Sequence, residues 1–373
     1  MSLSRPSNAL FAAATVAALL STACEDLDTN VEPTTTTTAS GCTPKAGPLP
    51  LENLSEYCFF DGEMKDLVPS ARAVPYDVAA ALWSDHAEKQ RLIVLPEGQK
   101  VTFDEGEDWL YPTGTILVKT FSFRDDFRDP ASPRRTLETR LLILEADGVW
   151  TGHVYRWNDE QTEATLTKIG ERVDVTYIDE EGESYAEEYI VPNTNQCKSC
   201  HERNDKQTFL GPFTHQLNRP VEVGGETRNQ LEVLAEQGLF DAPLPDVASL
   251  PAFPDPFGDA PVADRARGYL HANCSHCHRP GGGGGNSGLV LLAWEDDPAT
   301  HGVCKIPAAA GQGTGGFEHD IVPGHPEESI VIYRMSSTDP DIKMPELPNR
   351  IPDKKGVALI SEWIAGMEPQ GCP

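Results

Sequence analysis

The sequence contains Asp264-Arg-Ala-Arg-Gly-Tyr-Leu-His-Ala-Asn-Cys-Ser-His-Cys-His278. The first ten residues of this stretch predict a short helix, with Asp264 as N-cap, running into a cysteine pair closed by histidine. Two thiols three positions apart, Cys274 and Cys277, can each add to one vinyl group of a haem. The next side chain, His278, then reaches the iron as an axial ligand. The pattern occurs twice. Cys197-Lys-Ser-Cys-His201 repeats it, with Cys197 and Cys200 as covalent positions and His201 as the imidazole. Zinc would need both pairs in one four-ligand site, yet each pair already ends in its own histidine. Two haem c groups and no zinc are expected.

Downstream of the second motif, Asp353 begins a further helix with Val357, Ile360, Trp363 and Ile364 on one apolar face. Between them, Lys343-Met344-Pro345 puts a thioether on an irregular loop, and Met344 is the candidate sixth iron ligand. Met335 is its rival, and either could instead fill core space. Gly268-Tyr269 before the motif and Trp363 on the last helix resemble the helix crossing of class I cytochromes c, in which the glycine lets two helices approach. Gly281 to Gly285 lacks the Gly-Lys-Ser/Thr ending of a phosphate loop and is expected to cover a haem edge.

The first motif is less complete. No methionine occurs between His201 and Cys274, and His215 is the nearest alternative ligand. His86, His153 and Met64 are further candidates, and an open position would permit peroxide chemistry.

Upstream, Thr115 to Phe123 is β-branched and aromatic, and residues 149–157 alternate. Arg172 to Ile178 and Ser184 to Val191 flank Asp179-Glu-Glu-Gly182 as a hairpin. The expected fold is therefore multidomain, β + α. An N-terminal antiparallel β domain, sandwich or barrel-like, covers 42–191. Mainly α cytochrome c-type haem domains follow, a first haem segment at 192–255 and a class I cytochrome c-like domain at 256–373.

Arg5 precedes an apolar run from Ala9 to Leu20, which predicts a signal peptide over 1–23. Ser21-Thr-Ala-Cys24 resembles a bacterial lipobox, making Cys24 the candidate lipidation site. Residues 24–41, acidic and then Thr-rich, predict a disordered tether able to reach about 50 Å. An exported protein is expected, periplasmic or held to a bacterial membrane by that lipid.

Of nine cysteines, one is assigned to lipid and four to haem. Cys42, Cys58, Cys304 and Cys372 remain, an even number that suggests two disulfides. Three pairings are possible, and the most local is Cys42–Cys58 with Cys304–Cys372. A formal charge of -28 argues against nucleic acid, whose phosphates need clustered Lys and Arg. It favours basic redox partner proteins or simple solubility.

Several phrases together resemble an uncharacterised bacterial dihaem c-type cytochrome family. They are Tyr76-Asp-Val, Leu82-Trp-Ser-Asp85, Thr113 to Phe123, Val191-Pro-Asn-Thr-Asn-Gln-Cys-Lys-Ser-Cys-His201, Ala272 to Gly281 and Ile321-Val-Pro-Gly324. The likeness runs from about residue 58 onward. It implies two haems, export and electron transfer, without a known substrate. One-electron transfer is the leading expectation. A dihaem peroxidase and a ligand-binding protein with accessory haems are the alternatives.

Overall fold

Alternation at 116–124 builds the centre of the molecule. The structure, a computed structural model that describes residues 41–347 and 349–373, has Ile116–Arg124 as the third strand of a six-stranded sheet. The strands are β1 (Ala73–Pro75), β2 (Glu88–Val94), β3 (Ile116–Arg124), β4 (Arg134–Leu144), β5 (Trp150–Trp157) and β6 (Ala164–Thr167). Each runs antiparallel to the next. Because side chains alternate across a strand, β3 serves two layers. Ile116 and Val118 join Leu92, Leu141, Tyr155 and Trp157 on one face. Leu117 joins Ile93, Leu142 and Trp150 on the other. Phe121, with Phe123, Leu137 and Val154, belongs to a third cluster.

A separate hairpin, β7 (Glu171–Ile178) and β8 (Ser184–Val191), adds Val173, Tyr177 and Tyr189 to that third cluster. Its turn is closed by the Asp179 N–H donating to the Glu183 carbonyl, with Gly182 at φ 88. From β8 the chain passes into α1 (Thr194–His201). Asn193 and Gln196 cap it reciprocally, each side chain accepting the other's backbone N–H. The helix then packs on β5 at Gly152. A Cβ there would stand 3.0 Å from Cys197 Cβ and 3.1 Å from its Sγ, so a side chain at 152 would drive α1 off the sheet. Two more short helices, α2 (Thr214–Leu217) and α3 (Gln230–Glu236), bring Leu217, Leu231 and Leu234 to the second cluster.

The expected β domain followed by mainly α cytochrome c-type haem domains is overturned. The protein is mostly antiparallel sheet and loop, and the described residues hold six short helices. The longest, α4 (Val262–Cys274), has 13 residues; α5 (Ile330–Met335) and α6 (Lys354–Ala365) complete the set. The remainder of this region is chiefly turns, bends and short 3-10 segments. Its composition explains this. Gly281 to Gly285, Gly311, Gly313, Gly315 and Gly316, with Pro298, Pro307, Pro323, Pro326 and Pro340, repeatedly interrupt helix formation. Nor does the sheet close into a barrel; its six strands pair in one open series.

Helices α4 and α6 do meet, but through a different glycine from the one expected. Gly268 faces Phe253 and Pro254 at ordinary contact distances, 3.6 Å or more. It is Gly356 on α6 that permits the approach, since a Cβ there would overlap the phenol of Tyr269. Tyr269 donates its hydroxyl to Asp353 Oδ2 at 3.0 Å, while Asp353 Oδ1 caps α6 by accepting the Gly356 N–H at 3.0 Å. The cap of α4 is Pro261, with Asp264 inside the first turn. Leu270, Ile360, Trp363, Ile364 and Met335 form a fourth cluster around this contact.

Disulfides join Cys42 to Cys58 and Cys304 to Cys372. Cys24, the apolar run before it and the Thr-rich segment lie outside the described residues. Among those described, no helix is long and apolar enough to cross a membrane.

Candidate functional site

At the first motif, α1 holds Cys197 against Gly152 and carries Cys200 and His201 on its last turn. The His201 Nδ1 stands 2.9 Å from the Thr208 carbonyl. That oxygen can only accept, so Nδ1 carries the proton and Nε2 keeps its lone pair. Burial holds the imidazole below its ordinary pKa, which keeps it neutral. A slot of about 220 Å³ lies between this motif and the sheet, with Arg91, Lys119 and Arg140 among its lining.

The second motif ends α4. His278 Nδ1 lies 3.1 Å from Ser287 Oγ, and that hydroxyl donates to the Gly284 carbonyl at 2.7 Å. Ser287 therefore accepts from Nδ1–H, and Nε2 again keeps its lone pair. Burial, with repulsion from His276, Arg334 and Lys305, lowers the His278 pKa to about 4. The adjoining cavity, about 470 Å³, is lined by Cys274, Cys277, His278, Met344, Met335 and Trp83 among others. That volume is in the range of organic ligand sites. Met335 also packs into the fourth hydrophobic cluster, whereas Met344 does not.

The two motifs touch. Cys277 Sγ donates to the Ser199 carbonyl at 3.2 Å, and its side chain also hydrogen-bonds that of Cys200. Alongside, the Asn204 N–H donates to the Gly281 carbonyl at 3.0 Å. Cys200, His276 and Leu347 line both cavities. All four motif cysteines are free thiols, half-buried rather than exposed. A charged bridge braces the junction. Glu107 receives hydrogen bonds from Arg279, at 2.7 Å, and from His271 Nε2, at 3.2 Å. Burial would raise the Glu107 carboxyl, but the His271 and Arg279 hydrogen bonds prevail and hold it at about 2.

Of the residues singled out from sequence, Met344 meets His278 in one cavity, and His153 lines the other. His215 does not line the first cavity. Its ring lies tilted against those of Phe253 and Trp294, each 5.1 Å between centres, and its Nδ1 is buried with no hydrogen-bond partner among the described residues. His86 packs between Trp83, Tyr177 and Tyr185, and Met64 packs against the first core cluster. Sequence pattern alone does not mark Thr208, Ser287, Glu107 or Lys119. The first two act through a carbonyl and a hydroxyl that no residue spacing marks. An exposed trio, His325, Glu327 and Glu328, has metal-ligand geometry, but it is already drawn together by a 3.3 Å His325–Glu327 contact.

No family model, curated protein or solved structure matches the chain. Each motif presents two thiols on one turn and an imidazole whose outer nitrogen is fixed as donor and inner nitrogen left as ligand. A hydrogen bond that fixes the far ring nitrogen in this way orients a metal-ligating histidine and sets its tautomer. The free thiols and the neutral, cavity-lining imidazoles are the donor types that attachment of a haem through two thioethers would require at each motif.

Proposed function

We propose that this protein is an exported dihaem c-type cytochrome that passes single electrons between redox partner proteins. The observation that carries the reading is the contact of its two Cys-x-x-Cys-His motifs, with Cys277 Sγ 3.2 Å from the Ser199 carbonyl. Haem iron bound at these motifs would supply one-electron chemistry, cycling between ferric and ferrous forms. The chain's own residues bind and orient it. Cys197 and Cys200 hold the first group and Cys274 and Cys277 the second, while Thr208 and Ser287 aim the imidazoles of His201 and His278. Met344, which lines the second cavity, would supply a further ligand to the second group, and its soft thioether would favour the reduced state. Among the described residues no methionine lines the first cavity, so the first group is expected at lower potential.

Two disulfides support folding in an oxidising compartment, and Cys24 is the proposed lipid anchor. Expression with a c-type maturation system and intact-mass analysis test the reading. Two covalent haems per chain are expected, one lost from Cys197→Ala/Cys200→Ala and the other from Cys274→Ala/Cys277→Ala. Redox titration should then resolve two one-electron steps. A colourless chain after maturation would overturn it.

A further inference from the structure

The floor of the first cavity carries a row of three cations. In the sheet register Arg91 on β2 stands opposite Lys119 on β3, and Lys119 opposite Arg140 on β4, so all three side chains share one face. The outer two are neutralised. Arg91 donates to Asp77 Oδ1 at 2.8 Å, and Arg140 donates to both oxygens of Glu138, at 2.9 and 2.5 Å. Lys119 has no carboxylate and no side-chain hydrogen-bond acceptor among the described residues; its Nζ has only the Phe121 ring, 5.1 Å from the centroid. The chain has 58 acidic residues against 30 basic ones, so carboxylates are not scarce. A cation without a carboxylate partner, half-buried in a cavity wall between two apolar clusters, is free to meet an anion that enters the cavity. Burial and the repulsion of Arg91, Lys89 and Arg140 hold its ammonium well below the ordinary lysine value, and an anion beside it would restore that value.

We propose that Lys119, flanked by Arg91 and Arg140, is a carboxylate-binding position in the first cavity. Its occupant is a propionate of the haem attached at Cys197 and Cys200, or a carboxylate from solution. Either would form a charge-assisted hydrogen bond with the ammonium. The propionate source rests on the haem reading above, and that reading fails separately, by mass, if the first motif carries no haem.

The experiment uses the matured protein and its K119M and K119R variants, with redox titration of each haem and spectral titration with acetate. Removing the cation leaves a negative charge uncompensated and favours ferric iron. K119M should therefore shift the first haem's potential downward, leave the second's unmoved, and be rescued by K119R. With acetate silent, that shift identifies a propionate. A saturable acetate response in the parent protein, lost in K119M, identifies a carboxylate from solution. An unmoved first potential with acetate silent throughout would overturn the proposal. So would conversion of the first haem from low spin to high spin in K119M, which would make the amine an iron ligand. Should K119M not fold, K119Q carries the same comparison.

Discussion

Cys277 and Ser199 meet across the junction of the two motifs, thiol to carbonyl at 3.2 Å. One lies on the turn after α4 and the other within α1. Their contact turns two separate sequence patterns into one neighbourhood in which neither motif can shift alone.

The seat of α1 is the first point at which this can be broken. Gly152→Val would thrust a side chain into Cys197 Cβ and Sγ. We expect a stability loss of about 1–3 kcal/mol, with incomplete attachment at Cys197 and Cys200 and full attachment at the second motif. Intact mass and chemical denaturation measure the two effects independently.

Glu107 gives the junction a pH signature. Its carboxyl falls from an ordinary 4.5 to about 2 in the folded protein, so its contribution is complete above pH 4.5 and is lost as pH falls toward 2. The linkage is worth about 3 kcal/mol. Glu107→Gln should lower unfolding free energy by that order at pH 7, and the two proteins should converge near pH 2. A constant offset across a urea-unfolding pH series would contradict this.

The two methionines of the second cavity separate by readout. Met344→Ala should abolish the red-end absorption band of thioether-bound ferric iron and lower the second haem's potential. Met335→Ala should keep the band but cost about 2–4 kcal/mol, since Met335 is 7% exposed within the fourth cluster. A silent Met344→Ala spectrum would remove that residue as a ligand.

The disulfides differ in the loop they close. Cys304–Cys372 spans 68 residues and Cys42–Cys58 spans 16. Chain-entropy arguments give losses of about 4 and about 3 kcal/mol on paired replacement by alanine. Denaturant midpoints of the two double variants should fall in that order.

Elements dominated by local pattern were legible in the sequence. The branched and aromatic run at 115–123 became β3, shifted by one residue, and the pair flanking Asp179 to Gly182 became the β7–β8 hairpin. Asp353 capped α6, and Ile360, Trp363 and Ile364 faced the core. What failed was inference by likeness to a helical fold. Gly268 suggested a helix crossing whose close contact lies at Gly356, because which side of α4 faces α6 is decided by packing rather than by the dipeptide. Lys119 was hidden for a related reason. Within Leu117-Val-Lys-Thr-Phe121 nothing marks it, and only the register with Arg91 and Arg140 reveals it as part of a cavity floor.

The second cavity has a wall made far upstream. Trp83 lines it, donating its indole N–H to the Ile351 carbonyl at 2.9 Å and its backbone N–H to Asn273 Oδ1 at 2.7 Å. Asp85, buried beside it, accepts the backbone N–H groups of Arg350 and Ile351 at 2.8–3.0 Å. A recombination event that carried only residues 256–373 into another gene would leave both side chains behind. It would open the cavity and strand two amide donors. The segment that looks most like a portable cassette is thus bound to its own upstream sequence, and the chain from Trp83 to its end must be inherited whole.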